Sequence, residues 1–423
     1  MATQKAIRGP ATTDALHLDY IRVIRFYLNT IAHWPNEALG PRTLKTRMLT
    51  VYHAVMMVTC TCSQTSALFF VRDKMKDHDF IDLGQDYLSI LITFVILTRL
   101  TLILSEKYRL LIKKFVKKFN LVMHEHVSEY AAKETAWINK ICRIATTVII
   151  IECLSGPLLF NSAPLYINYQ AGMFSDHRPA NKTFLHSVNY YFVLDQYHDT
   201  VGYFVVFVLN IFISHICGAT FCGLDLLIYI MVFHILGHFN ILVDKMRKFP
   251  RPLQDAEGTT ELSEKQYNEE AANYLKELIE HDQLIKEFMG DTSEAFSITL
   301  CFCLMYHQVS GCITLLAVSP MTAEALSRYG VLAFIMYNQL IQMSVIFELI
   351  ASKSDTIPNE VYGLPWELMD VNNRKTVLTF LMNVQPPKGL KAGGLVSVGV
   401  LTMSGIIKNS LSYFLMLKTL GKD

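Results

Sequence analysis

Charged residues are scarce in this 423-residue chain: they make up 18% of the sequence, against 52% hydrophobic residues. An ordinary soluble domain carries about 25% charged residues, so the chain lacks the polar surface that a water-soluble fold of this length needs. The net charge of +1 gives no bulk electrostatic basis for binding nucleic acid. This composition predicts a protein whose solvent is the lipid bilayer.

Several kinds of chemical site are also missing. The nine cysteines all lie inside or beside apolar runs, which argues against a disulfide framework. His234 and His238 lie one helical turn apart, but no third ligand follows, so we interpret them as structural residues. There is no phosphate-binding glycine loop, nucleophile elbow or paired-carboxylate pattern. The sequence therefore predicts neither an enzyme nor a site for a metal or cofactor.

Seven apolar segments are long enough to cross a hydrocarbon core, which requires about 20 residues of helix. Glu152 and Pro157 interrupt the third segment, and the fourth stays apolar to about Leu236, which exceeds one bilayer thickness. Residues 1–30 are polar and charged, so we expect no cleavable signal peptide. The sequence predicts an all-α polytopic membrane protein with spans at 48–71, 85–104, 141–160, 201–224, 294–318, 330–350 and 394–417.

The distribution of lysine and arginine predicts the orientation of these spans. From the N-terminus to the C-terminus, the segments between spans contain 7, 3, 8, 2, 7, 1, 5 and 2 of these residues. Because basic segments stay in the cytoplasm, we expect a cytoplasmic N-terminus and an extracellular C-terminus. A sequon at Asn181 falls in a loop predicted to be extracellular, so Asn181 is a candidate glycosylation site. This orientation is the reverse of that of rhodopsin-like receptors.

The cytoplasmic segments contain apolar residues at helical spacing, in 105–123, 268–290 and 366–384. One interpretation is that these helices lie on the membrane surface. The other is that they extend the membrane helices and pack together below the bilayer. The overlong fourth span favours the second interpretation.

Charged residues within the spans are functional candidates, because burying them in lipid is costly. We interpret Arg99 and Arg143 as anchors that reach the cytoplasmic headgroups. Glu152, near the middle of the third span, either lines a polar cavity or is satisfied within the bundle. Lys408 lies in the middle of the seventh span, where it would repel cations on a pore face, so Asn409 is the better pore-facing candidate.

Aromatic residues are concentrated in the predicted outer halves of the helices. They pack against lipid and the core, or they surround an apolar pocket for a small hydrophobic ligand. Together with Glu152, the candidate ligand-binding residues are Tyr87, Phe160, Tyr203, Phe204, Phe207, Phe212, Phe334 and Tyr337.

The C-terminal region carries a long ordered pattern of motifs. They are Pro365–Asp370 (PWELMD), Asn373–Lys375 (NRK), Phe380–Gln385 (FLMNVQ), Lys391–Ala392, Gly394–Leu395, Val398–Val400 and Ser412–Phe414. This pattern resembles the C-terminal region of lepidopteran (moth) pheromone receptors within the insect odorant receptor family. The rest of the chain agrees with that family in length, span count and inverted topology.

The resemblance implies an odorant or sex-pheromone receptor that acts as the ligand-binding subunit of a ligand-gated, non-selective cation channel. Its partner would be the odorant receptor co-receptor, in a heterotetramer in the plasma membrane of olfactory sensory neuron dendrites. The ligand would be a small apolar odorant such as a long-chain alcohol, aldehyde or acetate. One alternative to this function is a gustatory-type receptor of the same superfamily. A more distant alternative is a non-channel secondary transporter.

The resemblance also divides the chain into four parts. These are a cytoplasmic N-terminal segment (1–47), a six-helix bundle with cytoplasmic extensions and the ligand pocket (48–350), a cytoplasmic anchor helix (351–393), and a pore-lining seventh helix with a short extracellular tail (394–423). The implied gate of the pore includes Met416. Methionine departs from the family's residue type at this position but is apolar, and a ring of apolar side chains closes a pore by dewetting. The implied pore and gate residues are Asn409, Tyr413, Met416, Thr419 and Leu420.

Overall fold

The computed structural model describes residues 15–77, 83–175, 178–179, 182–251, 261–319, 326–386, 389–393 and 396–420. This part of the chain is almost entirely helical. Its helices are α1 (Asp19–Asn29), α2 (Asn36–Leu39), α3 (Leu44–Lys74), α4 (Gly84–Leu100), α5 (Glu106–Lys114), α6 (Glu129–Gln170), α7 (Thr200–Arg247), α8 (Glu261–Val318), α9 (Val331–Tyr362), α10 (Val371–Val384) and α11 (Val400–Leu420). Short 3₁₀ or π turns lie at Ala15–His17, Thr101–Leu104, Phe115–Phe119, Leu121–Met123, Glu125–Val127, Leu326–Gly330 and Trp366–Leu368.

Six of the described helices are long and apolar enough to cross a bilayer: α3, α4, α6, α7, α8 and α9. Each overlaps one of the first six predicted spans, which makes the chain a multi-pass membrane protein. Helix α11, with 21 residues, overlaps the predicted seventh span but begins at Val400. It follows a small antiparallel hairpin of β1 (Lys391–Ala392) and β2 (Val396–Ser397). Gly393 begins the turn of this hairpin with a φ of +60°, a conformation that favours glycine.

Helix α7 forms the centre of the bundle. It has 48 residues, so it is about 72 Å long at the helical rise per residue. Its side chains are buried without interruption from Ala219 to Ile235. The apolar run beyond residue 224 is therefore a continuous helix that is surrounded by protein.

The amphipathic segments pack around this inner part of α7. The predicted helix at 268–290 is continuous with the fifth span in the 58-residue helix α8. The segment at 105–123 is instead a separate helix, because a 3₁₀ turn and an extended Ser105 interrupt the chain after α4. The ring of Phe119 stacks on that of Phe288 with a centroid distance of 3.7 Å. Lys114 forms an ion pair with Asp291 at 2.7 Å.

The N-terminal helix α1 is a feature that the sequence analysis missed. One face of it is buried against α6 and α7. The hydroxyl of Tyr20 donates to Asn139 at 3.0 Å and lies 2.9 Å from Nε2 of His234. Further along α1, the hydroxyl of Tyr27 lies 2.6 Å from Sγ of Cys153. This helix therefore belongs to the core of the bundle.

The structure changes the interpretation of Arg99. Its side chain is only 2% exposed and pairs with Asp225 at 2.9 Å. It also donates to the backbone oxygen of Phe221 at 2.9 Å, and its guanidinium carbon lies 4.3 Å from the centroid of that ring. The prediction that Arg99 reaches the headgroups is wrong, because α7 supplies a carboxylate inside the bundle. Arg143 is exposed and pairs with Asp19 at 3.3 Å.

Candidate functional site

A cavity of about 330 Å³ lies within the bundle, between α3, α4, α6, α7, α8 and α9. Val188 and Tyr190, from the loop between α6 and α7, also line it. The surface of its walls is mainly apolar, although about a third of the lining residues have polar side chains. A concave, mainly apolar space with some polar groups is the usual form of a site for a small hydrophobic molecule.

Hydrogen bonds hold the 182–199 loop over this cavity. Gln85 donates to the backbone oxygen of Ser187 at 2.8 Å, and Asp86 accepts from the backbone of Asn189 at 3.1 Å. Asn168 bonds to both the N–H and the C=O of Leu185, each at 2.9 Å. Since these anchors lie on α4 and α6, the loop is a fixed part of the cavity wall.

Two further contacts tie this loop to α7. A Cβ atom on Gly202 would lie 2.2 Å from the backbone oxygen of Asp195, so the first turn of α7 packs directly against the loop. Nε2 of His186 lies 3.0 Å from the backbone oxygen of Gln196, and burial lowers the pKa of this histidine below its usual value. His186 is therefore held as a neutral side chain inside the loop.

Glu152 is the acidic group on the cavity wall. Its Oε1 atom accepts from the amides of Asn338 at 3.0 Å and Gln342 at 2.9 Å. Among the residues that the structure describes, none donates to its Oε2 atom. Both amides come from α9, which explains how a carboxyl group on α6 is accommodated in an apolar bundle. Glu152 thus presents one unused acceptor at the cavity.

Four other polar side chains on the wall bond within the protein. Asn210 is 2% exposed and donates to the backbone oxygen of Val188 at 3.2 Å, while its Oδ1 atom has no partner in the described part of the chain. Gln64 donates to the backbone of Ile90 at 3.0 Å. The hydroxyls of Ser89 and Thr93 donate to carbonyls of their own helix. The amide and hydroxyl donors of these four side chains are thus bonded within the protein.

Three of the predicted ligand-binding residues line the cavity together: Glu152, Phe160 and Phe334. Tyr203, Phe204 and Phe207 belong instead to an aromatic cluster with Phe174 and Phe184 beside the loop, where the rings of Tyr203 and Phe184 are 4.4 Å apart.

The remaining predicted residues have other surroundings. Tyr87 packs against Phe70, Val71 and Leu83, and Phe212 packs partly buried against the main core. Tyr337 donates to the backbone of Gly311 at 3.4 Å. Asn181 lies outside the described residues.

Sequence reasoning missed most of the polar wall. Gln64, Asn210, Asn338 and Gln339 line the cavity from three different helices, α3, α7 and α9. Each is a polar residue within an apolar span, and this position makes it a candidate for a functional role. Which of them share a cavity depends on the rotation of each helix, and a single sequence carries no signal for that rotation.

The predicted pore residues lie on one side of α11. Ser410 and Ile406 are buried, and Ser410 accepts from Gln308 at 3.3 Å, so this face packs on α8. The side chains of Asn409, Tyr413, Met416 and Thr419 are exposed, with Met416 50% and Tyr413 52% exposed. The side chain of Leu420 lies outside the described part of the chain.

Comparisons with known proteins agree with this architecture. The sequence matches the family model described as 7tm odorant receptor over residues 79–411. It is 21% identical over 229 residues to odorant receptor 85c of Drosophila melanogaster, a match that spans about half of each protein, 53% of this chain and 55% of that receptor.

Solved structures of the insect olfactory receptor OR5 from Machilis hrabei have the same fold. The first superimposes with a TM-score of 0.76 at 12% sequence identity, and covers 96% of this chain and 99% of OR5. The same receptor solved in complex with eugenol gives a TM-score of 0.75, also at 12% identity, and covers 96% of this chain and 100% of that one. Because the family model covers most of the sequence, this chain belongs to the family of 7tm odorant receptors.

Proposed function

We propose that this chain is the odorant-binding subunit of a ligand-gated, non-selective cation channel that detects a sex pheromone. In this proposal it has seven membrane helices, a cytoplasmic N-terminus and an extracellular C-terminus. It assembles as a heterotetramer with the odorant receptor co-receptor in the dendrite of an olfactory sensory neuron. The observation that carries the proposal is the partly open, mainly apolar cavity among the helices. The C-terminal motifs support the pheromone assignment.

The polar wall favours one ligand class over its rivals. A long-chain alcohol, aldehyde or acetate each combines an apolar chain with one polar end, but only the alcohol has a hydrogen-bond donor. The unused Oε2 acceptor of Glu152 matches a donor, and it would face the lone pairs of an aldehyde or acetate. A buried acceptor that stays unpaired costs about 1–3 kcal/mol. We therefore infer that the ligand is a long-chain alcohol.

The exposed face of α11 supports the channel assignment. An apolar helix surface such as that around Met416 needs another helix or lipid against it. Four copies around one axis would form a narrow apolar constriction at Met416 and Leu420, with Thr419 between them, and such a ring excludes ions by dewetting. Odorant binding opens the pore only if the ligand binds the open arrangement of the bundle more tightly than the closed one.

Voltage-clamp recording tests this function. The chain is expressed with and without the odorant receptor co-receptor, and a panel of long-chain alcohols, aldehydes and acetates is applied. We expect odorant-evoked cation currents in the co-expressing cells. A correctly localised receptor that gives no current across the whole panel would contradict the proposal.

A further inference from the structure

A second cleft, remote from the odorant cavity, lies between α1 and the beginning of α3. Its volume is about 460 Å³. Three exposed cationic side chains line it: Arg22 and Arg25 from α1, and Lys45 from the first turn of α3. We call it the basic cleft. Its described lining residues include no aspartate or glutamate.

The nearest acidic groups on these elements are already paired. Asp19, at the start of α1, binds Arg143 at 3.3 Å. Glu37, on α2, binds Arg42 at 3.1 Å. Within the described part of the chain, no carboxylate neutralises the three cations of the basic cleft. Three cations that converge without a counter-charge favour the binding of an anion, and guanidinium groups suit phosphate oxygens in particular.

Apolar side chains lie directly beside these cations. Phe26 lines the basic cleft and is 72% exposed, and Leu49 lines it from α3. Leu44 and Met48 on the same stretch of α3 are 75% and 65% exposed. The other face of α1 is buried in the bundle, so this apolar surface faces outwards at one end of a membrane helix. A phosphate group attached to an acyl chain matches both parts of the surface.

We propose that the basic cleft binds the phosphate headgroup of an anionic lipid of the cytoplasmic leaflet. Arg22, Arg25 and Lys45 donate to the phosphate oxygens, and Phe26 contacts the acyl chain. The choice of leaflet rests on the distribution of lysine and arginine between the spans, which predicts that this end of α3 lies at the cytoplasmic surface. Because α1 also contacts Cys153 on the cavity wall through Tyr27, a bound lipid stabilises the helix that supports the odorant site.

Direct lipid binding tests this proposal without requiring channel activity. Fluorescent phosphatidylinositol phosphate is titrated into the full-length receptor in detergent, and binding is followed by anisotropy. One basic residue near an anionic lipid contributes about fivefold in affinity. The combined variant Arg22→Gln, Arg25→Gln, Lys45→Gln is therefore expected to bind on the order of a hundredfold more weakly. The charge-preserving variant Arg22→Lys, Arg25→Lys should keep most of the affinity.

A matched control uses the three basic residues at the opposite end of α3. The variant Arg72→Gln, Lys74→Gln, Lys76→Gln removes the same number of charges and should leave binding unchanged. Thermal melting confirms that each variant is folded, and the charge-preserving variant separates loss of charge from loss of structure. Equal weakening in the control variant, or unchanged binding in the first, would overturn the proposal. Displacement of the lipid by an equal concentration of inorganic phosphate would also overturn it, because the site would then recognise a soluble anion.

Discussion

Replacing Glu152 with glutamine should shift the receptor's preference from an alcohol towards the acetate of the same chain length. In the structure, Oε1 of Glu152 accepts from two amides of α9, while Oε2 is the unused acceptor at the cavity. A glutamine keeps the shape and can retain an oxygen against those amides. Its NH₂ group then takes the place of Oε2. The substitution thus exchanges an acceptor for a donor without a change in volume.

The expected magnitude follows from hydrogen-bond energies. A bond from the alcohol to a charged acceptor contributes about 1.5–3 kcal/mol, and a neutral bond contributes about 0.5–1.5 kcal/mol. The alcohol therefore loses about 1 kcal/mol, while the acetate carbonyl gains about the same amount from the new N–H donor. The two effects together amount to about 2 kcal/mol, or a change of about thirtyfold in the ratio of half-maximal concentrations.

The assay is voltage clamp of cells that co-express the receptor and the co-receptor, with an alcohol, an aldehyde and an acetate of one chain length. The control is Glu129→Gln on the same helix, because the side chain of Glu129 is 84% exposed and remote from the cavity. The control should give the wild-type ratios. Glu152→Asp retains the acceptor but withdraws it by one methylene, so it should keep the order of preference with weaker responses.

Two results would refute this reasoning. One is an equal loss of response to all three ligands in the Glu152→Gln variant, which would give Glu152 a structural role only. The other is a ratio that stays unchanged while all currents persist. A long-chain amine that activates the wild-type receptor more strongly than the alcohol would reject the hydroxyl as the preferred donor. If the wild-type receptor gave no current with any of the ligands, that result would instead count against the channel assignment.

Three further predictions concern stability, measured by thermal melting of the purified receptor. Gly202→Ala should destabilise the receptor by about 1–3 kcal/mol, because the new Cβ atom meets a loop carbonyl. The control is Gly290→Ala, which should not destabilise the receptor because a Cβ atom there meets nothing within 4 Å. Asp225→Asn should cost about 3–5 kcal/mol, because it leaves Arg99 as a buried charge without a partner, and a double replacement by apolar residues should recover part of this loss. Burial lowers the pKa of His186 in the folded state, so the unfolded chain binds the proton more readily and stability should fall as the pH drops below 6.5. That slope should diminish in His186→Gln, and an unchanged slope would assign the effect to other groups.

The long helices could be predicted from the sequence because composition alone sets them. A run of apolar residues must be helical in lipid to satisfy its backbone, and each of the first six predicted spans overlaps a described helix. The helical spacing in 268–290 also predicted a helix there, and in the structure this helix is continuous with the fifth span in α8. The precise start of α11 differs, since the hairpin at Lys391–Ser397 occupies part of the predicted seventh span.

Contacts between distant parts of the chain could not be predicted in this way. Arg99 and Asp225 lie 126 positions apart, and no local pattern pairs them. Arg22 and Arg25 lie between the apolar residues of α1, so this helix is harder to recognise from the sequence than a continuous apolar run. Aromatic content placed candidate pocket residues on these helices, but helix rotation decides that Phe160 lines the cavity and Tyr203 does not.

The length of α7 has a consequence for how such a receptor can diversify. Its turns from Asn210 to Cys222 line the cavity. Its later turns pack against the 105–123 segment and α8, where Nε2 of His238 lies 2.7 Å from the backbone oxygen of Phe119 and Nδ1 lies 3.0 Å from Nε2 of His281. The residues that line the cavity and those that hold these helical segments together therefore occupy separate stretches of one continuous helix. After gene duplication, substitutions in the first stretch can reshape the cavity while the second stretch keeps its packing intact.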